Sequence, residues 1–170
     1  TIRWHKNIMG LCMLQSVRKE LGLRFNAAEQ LARENPCDAL VDCEDGAFLA
    51  PESMGAAVRE QAGELTDGQL LHCIYQSLAH CYKNALAAMG MRLGKRFATL
   101  NIIGGGSQDS FLDELTAKAA GVTVLAGPKE ATAIGNLLVQ MIAAGEVKDV
   151  AEGRELVKRS FGVRTYESKN

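Results

Sequence analysis

Apolar side chains recur every three or four residues along the first half of this chain, and after Gly94 the rhythm shortens. In residues 7–21 they fall at Ile8, Leu11, Cys12, Leu14, Val17 and Leu21, which predicts a helix that Gly22 is placed to terminate. A second short helix is predicted over 26–35, with Asn26 as its cap. Residues 36–51 read as turns and loop around one brief extended piece at Ala47–Leu49, and a short helix follows over 51–61 with Pro51 near its first turn. Leu70, Leu71, Ile74, Leu78, Cys81, Tyr82, Ala85 and Met89 then set out one long helix over 67–90. Beyond Gly94 the stretches "FATLNII" (97–103) and "VTVLAG" (122–127) are strand-like. Helical patterns follow each of them, over 109–120 with Gly121 to close it, and from Lys129 through "KEATAIGNLLVQMIAAG". A last helix starts near Asp149 and runs into an irregular end.

Strand, helix, strand, helix at this spacing implies an α/β class with a right-handed crossover and a parallel pair. Two strands serving five or six helices make an incomplete sheet, because a parallel sheet is covered on both faces and usually has more strands. The missing strands are expected in sequence outside these 170 residues. The opening "TIRWHKNIMGLCMLQ" lacks the sustained apolar core and small-residue cleavage site of a signal peptide, and reads as an entry part-way through a longer protein or as an engineered or proteolytic boundary.

Composition narrows the class further. The chain is 47% hydrophobic and 23% charged, which is globular, and no apolar run approaches the roughly 18 residues of a membrane span. A formal net charge of −1, with both signs interspersed, offers nothing to nucleic acid or an anionic membrane. Five cysteines without framework spacing fit a reducing cytoplasm. The repeated His-Cys pair in "HCIYQSLAHC" (72–81) has an eight-residue interval, about 12 Å along a helix at about 1.5 Å per residue. One ion cannot reach both pairs at about 2.0–2.3 Å, so the pairs read as a helix with small apolar thiols partly buried and histidines near its margin.

The chemistry concentrates in "NIIGGGSQDSFLDEL" (101–115), where Gly104, Gly105 and Gly106 join a strand to a helix. Two readings stand side by side. Glycine permits a tight turn, and it also lets a flat polar ligand approach a backbone whose N–H groups and helix dipole favour anions. The block is neither G-x-G-x-x-G, since Asp109 holds the sixth position, nor a P-loop, since no Lys-Ser/Thr follows.

Together with "NIMGLCMLQ" (7–15), "CEDGAFLAPESM" (43–54), "LLHCIYQSLAHCY" (70–82) and "GPKEATAIGNLLVQ" (127–140), this block resembles the C-terminal domain of the FGGY-family carbohydrate kinases. Among these the rhamnulokinase pattern is nearest. The resemblance spans nearly the whole of 1–170. It implies the C-terminal part of a ribonuclease H-like fold of the actin-like ATPase superfamily, here helix-rich with few parallel strands. It further implies ATP held mainly by this domain, with Mg2+ in the full-length enzyme, and a ketose held mainly by an N-terminal domain that is absent. On that pattern Gly105 lies at the nucleotide, Gly104 and Gly106 keep the backbone open beside it, and Asn7 and Gln15 match ATP contacts.

From the residues alone, Asn7 could equally be a helix N-cap and Gln15 an exposed helix position. Asp109 stands where the family commonly has Asn, and an acceptor-only carboxylate there would repel phosphates. Ala131, Ala133 and Gly135 suit a helix packed closely on a neighbour, and Trp4 is unassigned, with adenine stacking the one role it could take. The family's catalytic aspartate and its D-x-G-[ST] phosphate turn lie upstream of the matched region, and "EDGAF" and "TDGQL" do not satisfy the turn. The resemblance therefore implies the nucleotide half of a kinase acting on L-rhamnulose or a related ketose at the 1-hydroxyl, inactive alone. Two rivals are a Rossmann-type NAD module, opposed by the Gly127-Pro128 end of the second strand, and a homo-oligomeric interaction domain joined through exposed helix faces and sheet edges.

Overall fold

The computed structural model describes residues 5–8 and 10–168, so Trp4 lies outside the described residues. The chain forms two compact units, Thr1–Phe97 and Ala98–Asn170.

The first unit is helical. It contains α1 (Cys12–Glu20), α2 (Phe25–Glu34), α3 (Met54–Ala62) and α4 (Asp67–Leu93). The predicted start of α1 at residue 7 is too early. Gly10 takes φ 50, a left-handed turn that a continuous helix cannot contain, and Leu11 occupies the N-cap with no side-chain hydrogen bond. Its far end is as expected: the N–H groups of Gly22 and Leu23 bond the carbonyls of Lys19 and Arg18 at 3.1 and 3.0 Å, a Schellman closure. Asn26 falls inside α2, whose N-cap is Arg24.

The piece expected to be extended at Ala47–Leu49 is instead a 3-10 turn, Gly46–Phe48. The Asp45 carboxylate closes it by accepting from the Ala47 N–H at 2.8 Å, and Phe48 plugs into the core. Pro51 precedes α3 rather than opening it. Ser53 is the cap there, its hydroxyl accepting from the Ala56 N–H at 3.1 Å. The Glu20 carboxylate at the end of α1 reinforces that cap, accepting from Met54 N–H at 2.7 Å and from Gly55 N–H and the Ser53 hydroxyl at 3.0 Å. One acidic side chain thus satisfies orphan donors of α3 and complements its dipole.

α4 is the axis of this unit. Thr66 and Gln69 form a reciprocal capping box at its start. Leu70, Leu71, Ile74 and Leu78 are fully buried, with Met13, Val17, Phe48 and Val58 supplied by the surrounding segments. Where α4 begins, a Cβ on Gly68 would stand 2.6 Å from Asn35 at the end of α2, so this crossing admits only glycine without a shift of the neighbour.

The second unit carries the sheet. β1 (Thr99–Ile102) pairs parallel with β2 (Thr123–Ala126), with Thr99 opposite Thr123 and Ile102 opposite Ala126. α5 (Ser110–Ala120) connects them and packs on β2, burying Phe111, Leu112 and Ala117. The tail expected to be irregular holds a third strand, β3 (Arg164–Tyr166), antiparallel on the other side of β2. Three residues are too few for an alternating pattern to register in sequence. α6 (Ala131–Ala143) and α7 (Val150–Ser160) pack on each other, but the close approach is not at the predicted small residues. Nothing lies within 4 Å of where a Cβ on Gly135 would stand, whereas one on Gly153 of α7 would collide with Leu138 at 2.2 Å.

Because Glu20 serves three donors at once, Glu20→Ala is expected to destabilise the chain by about 1–2 kcal/mol, with Glu20→Gln recovering part of the loss. Urea titration followed by circular dichroism is the check, and a midpoint unmoved by Glu20→Ala would refute the role.

Candidate functional site

Parallel β1 and β2 end at the same edge of the sheet, and two glycine-bearing turns leave from it. The Gly127 N–H donates to the Ile102 carbonyl at 2.8 Å, and the Gly104 N–H donates to the Pro128 carbonyl at 3.2 Å, tying the turns together. The Gly127–Pro128 peptide is cis. Gly104–Gln108 winds into a 3-10 turn that no side chain caps at its start. In open α/β sheets this carboxyl edge is where ligands dock.

The three glycines differ in what they do. Gly104 has φ 74, a backbone conformation that a side chain disfavours by about 1–2 kcal/mol, so the turn itself requires it. Gly105 has no such constraint. It is exposed, and no atom lies within 4 Å of where its Cβ would be. Neither backbone strain nor packing accounts for a bare residue there, while a ligand resting on the turn would. Gly106 is half-buried and its carbonyl accepts from the Asp109 N–H at 3.1 Å.

The turn is held from below. The buried Ser107 hydroxyl donates to the Gly104 carbonyl at 2.8 Å, and the Arg164 guanidinium donates to the Ser107 carbonyl. Asp109, 1% exposed, spends its carboxylate on α5, accepting from the Leu112 N–H at 3.1 Å. It acts as an N-cap, a position where negative charge is favoured. Sequence reasoning passed over Ser107 and Arg164. A serine after three glycines is a recognisable turn-closing signal, but Arg164 lies on the strand that the pattern does not reveal.

Asn7 and Gln15 belong to the first unit. Asn7 is exposed in irregular chain and is not a helix cap, and its neighbour Lys6 pairs with Glu44 at 2.8 Å. Gln15 is exposed on α1. The structure thus brings Gly104, Gly105 and Gly106 together in one turn and sets Asn7 and Gln15 on the surface of the other unit.

Against this geometry the comparisons are specific. The profile of the FGGY family of carbohydrate kinases, C-terminal domain, matches residues 3–144. The chain belongs to the FGGY family. It is 39% identical over 175 residues to a rhamnulokinase of Lactiplantibacillus plantarum, covering 98% of this chain and 36% of that protein. A rhamnulokinase of Bacillus subtilis is 38% identical over 179 residues, covering 100% of this chain and 37% of its own length. The chain therefore spans little more than a third of the curated relatives it matches. The crystal structure of xylulose kinase from Rhodospirillum rubrum superposes with a TM-score of 0.60 at 19% identity, over 95% of this chain and 33% of that one. That likeness shows a shared fold.

His72, Cys43 and Cys73 of this FGGY domain are structural. His72 is buried, not marginal as expected, and its Nδ1–H donates to the Ala32 carbonyl at 2.9 Å. Burial pushes the Cys73 thiol up to about 11, and burial followed by neighbouring Cys81 and Asp42 pushes Cys43 up to about 12. Thiols so far from ionisation are not nucleophiles at neutral pH. Among the described residues no three His, Cys, Asp or Glu side chains gather into a metal-binding group, and no helix is long and apolar enough to cross a membrane.

Two outcomes are expected here. Gly104→Ala lowers stability by about 1–2 kcal/mol, whereas Gly105→Ala stays within about 0.5 kcal/mol of the parent; thermal melts of both variants distinguish a structural from a vacant glycine. Because Cys43 and Cys73 ionise less readily folded than unfolded, their stabilisation is complete below the ordinary thiol value of 9.0 and lost as pH climbs towards 11–12. The urea midpoint is therefore expected to fall above pH 9, and replacing both cysteines by alanine should flatten that fall.

Proposed function

We propose that this chain is the nucleotide-binding half of an ATP-dependent sugar kinase that phosphorylates L-rhamnulose or a related ketose at its 1-hydroxyl. The observation that carries the reading is Gly105, left without a side chain where neither the backbone nor the packing demands it. Supporting it are the carboxyl-edge placement of the turn, membership in the FGGY family and the rhamnulokinase names of the relatives at 38–39% identity.

On this reading 1–170 acts as one ATP-binding domain. Gly104, Gly105 and Gly106 form a shelf for the flat part of the nucleotide, and the family resemblance gives Asn7 and Gln15, in the first unit, ATP contacts of their own. The fit is to a planar group: an exposed glycine with open space over it admits a ring face at van der Waals distance, which a Cβ would prevent. No residue here is assigned to Mg2+, which ATP carries on its phosphates. Bound ATP with Mg2+ supplies a transferable phosphoryl group whose charge is already partly neutralised. The chain's own part is to bind and orient the nucleotide. On the family resemblance the general base for the sugar hydroxyl lies upstream of the matched region, so the isolated chain is expected to turn nothing over and to bind nucleotide weakly.

A second reading has one observation in its favour. α6 buries none of its residues, and Leu137 and Val139 are 55% and 65% exposed on it. An apolar helix left open in this way favours self-association.

The test is calorimetric titration of the chain with ATP. Saturable binding that Gly105→Val weakens by about tenfold, at unchanged melting temperature, supports the shelf. Wild-type affinity in Gly105→Val removes it. A concentration-dependent dimer on gel filtration, indifferent to ATP, would instead support the second reading.

A further inference from the structure

We propose that Arg164 is a positioning residue for the nucleotide shelf, locking the glycine turn from a strand that lies outside the FGGY domain match. The inference rests on the nucleotide reading above, and it names a residue that the family profile, ending at residue 144, does not reach. The rhamnulokinase of Bacillus subtilis, matched over 100% of this chain, extends over this position.

The geometry starts with β3. Its register sets Arg164 opposite Ala126, the last residue of β2, and therefore at the same sheet edge from which the glycine turn departs. From there Nη2 donates to the Ser107 carbonyl. Within the turn, the Ser107 hydroxyl holds the Gly104 carbonyl at 2.8 Å and the Asp109 N–H holds the Gly106 carbonyl at 3.1 Å. Beside the backbone bond from the Gly104 N–H to the Pro128 carbonyl, Arg164 adds a side-chain anchor from outside the turn. A run of three glycines has more conformational freedom to lose on binding than any other tripeptide. Fixing the Ser107–Gln108 peptide, just after the run, before the ligand arrives lowers the ordering cost of binding. Because a peptide is planar, holding the Ser107 carbonyl towards β3 also fixes the direction of the following N–H.

The bond uses one N–H of the five that a guanidinium offers. A lysine, with one charged head, can replace that single bond, whereas a methionine keeps the stem and loses the donor. Arg159 on α7, which donates to the Glu155 carbonyl at 3.3 Å, serves as the control for loss of one positive charge.

The experiment titrates the wild-type chain, Arg164→Met, Arg164→Lys and Arg159→Met with ATP, and measures amide exchange over 104–109 without nucleotide. The expected result is about tenfold weaker ATP binding and about tenfold faster exchange in the turn for Arg164→Met. Arg164→Lys should lie within about threefold of wild type, and Arg159→Met should be unchanged. Wild-type affinity in Arg164→Met, or turn exchange unaltered in it, overturns the proposal. Equal weakening by Arg159→Met also overturns it, since the effect would then be bulk charge. Should Arg164→Met fail to melt cooperatively, Arg164→Lys decides: slow exchange in the turn supports the anchor, and fast exchange in a natively melting protein refutes it. A wild-type chain that takes up no ATP defeats the nucleotide reading itself. That result is distinguishable because the exchange arm still reports whether Arg164 holds the turn.

Discussion

Two backbone hydrogen bonds at the end of a parallel strand pair fix the geometry on which the rest depends. With Gly127 bonded to Ile102 and Gly104 bonded to Pro128, the turns after β1 and β2 must leave the sheet side by side. A parallel pair requires a crossover between its strands, and α5 supplies it, with the Asp109 cap set where the glycine turn ends. Sheet, turn and helix start are therefore one unit of construction. The bare backbone at Gly105 is exposed because everything around it is committed to holding the turn in shape.

The commitments can be followed residue by residue. Ser107, fully buried, and Arg164 take up carbonyls of the turn, Asp109 takes up an N–H of α5, and Gly104 absorbs the left-handed bend. Side chains with chemistry of their own are thus spent on architecture. What remains for a ligand is backbone and open surface, which suits a planar nucleoside better than it suits bond-making. In the first unit the same economy applies: His72 and Cys73 sit in the α4 core as packed, hydrogen-bonded groups. On the proposed reading this FGGY domain binds and orients a nucleotide and leaves bond-making to other residues.

Much of this was legible in the residue pattern, and what was lost has identifiable causes. The long helix α4, the β1–turn–α5–β2 succession and the closing glycines Gly22 and Gly121 follow from periodicity and from glycine's place at helix ends, although α4 runs on to Leu93, past the expected end at residue 90. The glycine triplet marked the site, but the sequence could not separate Gly104 from Gly105, because the difference is a φ angle and a volume of empty space. Helix starts were the weakest part. Asn7 and Asn26 are good capping residues by type, yet Gly10 and the extended backbone of Arg24 set the true starts. β3 was missed because its three residues take their conformation from pairing with β2, a tertiary cause. With β3 went Arg164, a side chain that reaches the turn from a distant strand and that local pattern could not show.

The most direct measurement of the central claim is a nitrogen–proton NMR spectrum of the labelled chain during addition of ATP. The account predicts saturating shifts at Gly105, Gly106, Ser107 and Gln108, with smaller ones at Gly127 and Lys129 across the tied turns and none along α3. Shifts centred on α3 or the middle of α4, with the amides of the glycine turn unmoved at saturation, would contradict it.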